Sequence, residues 1–108
     1  MGRHSMGEFE HLVVLAALRI GRDAYGASII EEIEERTGRD VSQAAAYLTL
    51  KRLEAKGWLE GRQEEGDEER GHRDRRCFTV TEEGRRRLER SRAELASMWE
   101  GLAPEPGR

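Results

Sequence analysis

The side chains best placed to do chemistry cluster between Ser42 and Lys56, where Ser42, Gln43, Tyr47, Thr49, Lys51, Arg52 and Lys56 offer hydroxyls, a carboxamide and cations. Groups of this kind hydrogen-bond and neutralise a polyanion; they do not form a nucleophile with its base. A second set, His72, Arg73 and Arg75, lies further along the chain. On a strand Arg73 and Arg75 share one face and Arg76 takes the other, so only one pair reaches the same phosphates. Elsewhere there is no Ser-His-Asp set and no phosphate loop, and His11 and His72 have no partner at metal-ligand spacing. The expectation is a binding protein without metal or cofactor, not an enzyme.

These residues need elements to hold them. Apolar residues recur at helical spacing from Glu8 to Ile20 and predict a first helix buried on more than one side. Gly21-Arg22-Asp23 breaks it. A second helix is expected from Ala24 to Arg36 with Asp23 as its N-cap, and Gly38 ends it. Ser42 then caps a third helix that runs to Lys56 and closes at Gly57. At 100° per residue, Ala46, Leu50 and Leu53 face inward, while Ala44, Ala45, Leu48, Thr49, Lys51, Arg52 and Lys56 fan outward. WLEGRQ (58–63) and RCFTVT (76–81) read as two strands, joined by a charged, glycine-containing tip without an apolar residue. Thr81 caps a last helix, with Glu82 and Glu83 at its positive end. On it Leu88, Leu95, Met98, Trp99 and Leu102 form a narrow apolar stripe of near-heptad spacing.

Three helices, a hairpin and a long helix make a mainly α chain: a winged helix-turn-helix over residues 8–81 and a C-terminal dimerisation helix over 82–102. Residues 1–7 and 103–108 are expected to lie outside the fold. In such a fold the basic outer face of the third helix enters a major groove of double-stranded DNA. The chain is 108 residues long with a formal net charge of -3, 38% charged and 36% hydrophobic residues, so its core is small and gains from a second copy. Homodimerisation is expected through the Leu88, Leu95, Met98 and Leu102 stripe. A single cysteine, Cys77, and the lack of a long apolar run point to the cytosol rather than a membrane. The acidic total keeps open a second function, a winged-helix protein-interaction module that does not bind DNA. Charge is nevertheless segregated: acids crowd the second helix and the hairpin tip, bases the third helix and the returning strand. Only the local field matters to a phosphate within a Debye length of ~8 Å.

In succession, GEFEHLVVLAAL, DAYGASIIEEIEERTGRDVS, AAAYLTLKRLEAKGWLE and GHRDRRCFTVTEEGRRRL resemble the PadR family of transcriptional regulators over residues 8 to 102. The resemblance implies that Tyr25-Gly26 opens the second helix, that Ser42 to Leu53 is the recognition helix, and that the segment after Gly71 returns the wing. A single helix after the wing resembles the short-tailed subfamily, in which it dimerises together with the first helix. The chain departs from the family in lacking a glycine near Ala44 and a proline near Leu48, and Cys77 stands where an aromatic residue is common. The function expected is a repressor on a palindromic operator. Pairing through the first helix would bring Phe9 and Leu12 to the dimer, where Trp99 either packs in the interface or, with Met98, Phe9 and Leu12, lines a cavity between subunits for an aromatic or cationic effector.

Overall fold

A computed structural model describes residues 5–67, 69, 71 and 74–102, and its order is α1 (Glu8–Ile20), a 3-10 turn (Gly21–Asp23), α2 (Gly26–Thr37), α3 (Gln43–Ala55), β1 (Leu59–Glu64), β2 (Arg75–Val80) and α4 (Glu82–Trp99). This is the mainly helical, winged arrangement that the sequence predicts. Residues 1–4 and 103–108, expected to lie outside the fold, are outside the described residues. Met6, placed with them by the sequence reading, is instead buried in the core. The adjoining Gly7 begins α1, its N–H held by Glu10 Oε1 at 2.8 Å.

Val13, Val14, Ala16 and Ala17 of α1 are buried, and the alanines let α2 approach closely enough to seat Ile29 and Ile33. The chain between these helices does more than turn. Ala24 is extended and fully buried, its carbonyl accepts the Phe78 N–H at 2.8 Å, and Tyr25 bridges Cys77. α2 therefore starts at Gly26 with Tyr25 as N-cap, two residues later than the sequence predicts. Asp23 is not the cap. Ser28, in the first turn, reaches back to the cap residue, its Oγ accepting the Tyr25 N–H at 3.0 Å.

Ser42 caps α3 as expected, accepting the Ala45 N–H at 3.0 Å. Gly57, at φ 80, reverses the chain so that Trp58 N–H reaches the Leu53 carbonyl at 3.0 Å. From there β1 and β2 pair antiparallel, from Leu59 opposite Val80 to Glu64 opposite Arg75. Leu50, Leu53, Trp58, Leu59 and Phe78 close the core from the hairpin side.

Thr81 caps α4 by accepting the Gly84 N–H at 3.0 Å, and donates its own hydroxyl to the Gly57 carbonyl at 2.6 Å. Leu88 and Ser91 are the last buried residues of this helix; everything from Arg92 to Leu102 is exposed. The second half of α4 thus projects beyond the body. The helix ends at Trp99, short of the expected Leu102, because Glu100 turns extended and Gly101 takes a positive φ of 85. Among the described residues no helix is long and apolar enough to cross a membrane.

Candidate nucleic-acid interface

One face of α3 anchors it on the body and the other is largely exposed. Ala46, Thr49, Leu50 and Leu53 are buried, while Ser42, Gln43, Ala44, Ala45, Tyr47, Leu48, Lys51 and Arg52 are exposed. Leu48 is 62% exposed, which is unusual for a leucine beside so many small side chains. Among the described residues, neither Lys51 nor Arg52 has an ion-pair partner, in contrast to most of the chain's arginines. The N-terminal half of α3 therefore offers amide, hydroxyl and methyl groups, followed by two uncompensated cations one turn on.

Flanking side chains frame this face. Tyr47 lies across Gly26 at the start of α2, where a Cβ would stand 2.5 Å from its ring and hydroxyl. On the other flank the Arg75 guanidinium stacks over the Tyr25 ring, 4.1 Å from its centroid, and lies 3.8 Å from Asp23. The next residue, Arg76, points the other way and binds Glu54 of α3, with Nε to Oε1 at 3.3 Å. That hydrogen bond, with the Gly61 backbone assisting, holds the Glu54 carboxyl below its ordinary range. Gly61 leaves room for this pair: a Cβ there would stand 2.7 Å from Arg76 and 2.8 Å from Glu54 and would push the two side-chain ends aside. Arg76 is thus neutralised within the chain while Arg75 stays at the rim.

The structure moves two of the expected contacts away. Thr49 is buried, because one more 100° step along α3 swings it from the outer face to the side packed on the body. Lys56, at the C-cap, turns from α3's outer face towards α1: its Nζ binds Glu10 at 2.9 Å and sits 4.6 Å from the Trp58 centroid. His72 and Arg73 lie outside the described residues. Tyr47, Lys51 and Arg75 line one groove, and Ser42, Gln43 and Arg52 are exposed on α3 and its N-cap.

The model of the transcriptional regulator PadR-like family matches residues 14–90. The chain belongs to this family. It is a PadR-like transcriptional regulator with a DNA-binding winged-helix fold. It is similar to the crystal structure of a PadR family regulator from Clostridium difficile R20291 at 25% identity and TM-score 0.74, over 89% of this chain and 95% of that one. A PadR family regulator from Eggerthella lenta is similar at 25% identity and TM-score 0.69, over 88% and 82% of the two chains. A PadR-like regulator from Bacillus cereus shares the fold at 16% identity and TM-score 0.70, over 87% and 86%. No curated protein matches the chain by sequence.

In this PadR-like chain the residues expected to dimerise divide into three groups. Leu88 is buried beneath α4 within the chain, where it completes the core, and is not free to meet a partner. Leu95, Met98 and Leu102 are 56%, 76% and 69% exposed. Phe9 and Leu12 are partly buried against the core. Between α1 and α4 runs a groove of about 610 Å³ lined by Met6, Leu12, Leu95 and Met98, with Glu8, His11 and Glu94 also on its walls. Trp99 and Phe9, expected on such a cavity, are not among its lining residues. His11 Nδ1 meets Ser91 Oγ across the groove at 2.9 Å, and burial lowers the pKa of the imidazole. Sequence reasoning assigned Tyr25 no part beside the third helix, and left Glu54 unpaired. The signals were faint: a lone Tyr-Gly pair, and Gly61 inside a strand.

Proposed function

We propose that this PadR-like regulator is a cytoplasmic repressor that binds a palindromic operator as a homodimer, each subunit laying the N-terminal half of α3 in a major groove. The observation that carries the reading is the outer face of α3, whose Gln43, Ala44, Ala45, Leu48, Lys51 and Arg52 are all exposed, with no ion pair to Lys51 or Arg52 among the described residues. Gln43 suits an adenine edge, and Leu48 with the alanines suits thymine methyl groups. Lys51, Arg52 and Arg75 suit phosphates. The bare Leu95, Met98, Trp99 and Leu102 stripe supports the dimer, since an apolar stripe of this kind on a lone domain is an aggregation hazard.

Release by an aromatic or cationic effector is supported by the α1–α4 groove, where Met98 and Leu12 give apolar walls and Glu8 and Glu94 carboxylates. Trp99, exposed at the same helix end but outside the lining of this groove, is left to the dimer stripe. DNA binding is tested by gel shift on the upstream promoter across a salt series. Simultaneous replacement of Lys51 and Arg52 by alanine should weaken both promoter and random DNA and flatten the salt dependence. Unchanged binding by that variant would remove α3 as the reading helix.

A further inference from the structure

We infer that the groove where α2 starts, α3 passes and β2 begins is a seat for one DNA backbone phosphate, with Arg75 as its cation and Tyr25 as the residue that positions it. The inference rests on the DNA-binding reading above and adds a site to it. The groove holds about 530 Å³ and is lined by Tyr25, Tyr47, Lys51, Glu54, Arg75 and Arg76, among others. Of its two acids among the described residues, Glu54 is paired with the Arg76 cation and Asp74 with the Gly66 backbone amide. Lys51 and Arg75 are left as its outward-acting cations.

Arg75 is set for an acceptor that the described chain does not give it. Its Nε is buried without a hydrogen-bond partner, although a buried donor left unmet is costly and uncommon. Asp23, at 3.8 Å, lies beyond hydrogen-bond length and is itself 74% exposed. A free arginine loses much rotamer freedom on binding. Here the stack on Tyr25 at 4.1 Å has already ordered the guanidinium, so that loss is met during folding. The Tyr47 hydroxyl, fixed against Gly26, supplies a neutral donor on the same wall. Asp23 then acts as an internal anion that a phosphate displaces.

The test uses the full chain and fluorescence anisotropy on promoter and random duplexes across a salt series, with R75Q, Y25L, Y25F, D23N and the double variant K51A/R52A. R75Q should lower the slope of log K against log salt by roughly 0.9 per subunit on both duplexes. Y25L should shift affinity the same way although it removes no charge, and Y25F, which keeps the ring face, should restore wild-type binding. D23N should bind about fivefold tighter per subunit at low salt, the effect of one charge near 4 Å in water. D23N alters an exposed group and R75Q replaces a polar side chain with a polar one, so both keep the test open if Y25L does not fold. Wild-type slope and affinity in R75Q, with binding lost in K51A/R52A, would overturn the phosphate seat and leave the DNA reading intact. Wild-type behaviour in both variants would overturn the DNA reading itself.

Discussion

Gly84→Ala is the substitution that most directly probes how α4 is joined to the DNA-reading part. Gly84 sits in the first turn of α4 beneath Trp58, and a Cβ there would stand 2.1 Å from the Trp58 carbonyl oxygen, about 1.3 Å short of ordinary contact. Two effects oppose each other. Alanine gains up to about 1 kcal/mol over glycine in a helix. Overpacking costs about 1–3 kcal/mol, and the upper end applies because the obstacle is backbone that cannot rotate aside. That same carbonyl accepts the Thr81 N–H at 3.1 Å, so moving it strains the N-cap of α4 as well. The net is a loss of roughly 2 kcal/mol, which in a domain of this size lowers the melting temperature by about 8 °C. Thermal unfolding followed by circular dichroism, at fixed protein concentration, measures it. A midpoint equal to or above wild type would mean that the close approach of α4 to Trp58 is not a tight constraint, and the account of the joint would fail.

The other predictions concern the groove, the dimer and pH. Gly26→Ala meets only the far end of the Tyr47 ring, so the chain should fold normally while Tyr47 swings out and DNA affinity drops by roughly tenfold, ~1.4 kcal/mol; unchanged anisotropy would detach Tyr47 from the interface. Leu95→Asp removes an apolar contact from both subunits of the proposed dimer, about 3 kcal/mol in total, and light scattering should then report single folded chains at concentrations where wild type pairs. A dimer that survives would move the interface elsewhere. His11 has a folded pKa lowered from 6.5 by burial, so the unfolded chain binds the proton more readily. Its contribution to stability is complete above pH 6.5 and is lost as pH falls through 6.5 towards the folded value. His11→Gln should flatten chemical denaturation midpoints across that window, and an unaltered pH profile would show that His11 does not govern it.

Much of this geometry was legible in the sequence because it is local. Ser42 and Thr81 cap their helices from side chains whose targets lie three residues on, and the first helix ends at Ile20 because Gly21 can take a positive φ. What the sequence concealed depends on long-range pairing. Asp23 looks like a cap for the second helix, but Ala24 and Tyr25 are claimed by β2, through Phe78 and Cys77, and that pairing delays the helix to Gly26. Lys56 reads as part of a basic face until Glu10, 46 positions away, takes it. Leu88 and Leu95 share a stripe by spacing, yet only the packing of α4 on the body separates a core residue from an exposed one. Thr49 was misplaced for the opposite reason: it lies at the border of the two faces of α3, where a single helical step decides burial.

These long-range ties also suggest how the two ends of the molecule communicate. Neighbouring residues of α1 hold different parts: Glu10 binds Lys56 at the end of α3, and His11 binds Ser91 on α4. One turn of α1 therefore joins the reading helix to the helix proposed for dimerisation. A rotation of α4 that breaks or lengthens the His11–Ser91 contact pulls on the same turn that Glu10 anchors, and so bears on the angle at which α3 is presented. An effector in the α1–α4 groove exerts control only if it binds one α4 position more tightly than another, since equal affinity for both shifts nothing. To move a regulator from mostly bound to mostly free it needs a preference of about 10⁴-fold, ~5.5 kcal/mol, shared over two grooves in a dimer. That is about a hundredfold for each groove, within reach of burying an apolar ring between Leu12 and Met98 with a cation set against Glu8 or Glu94.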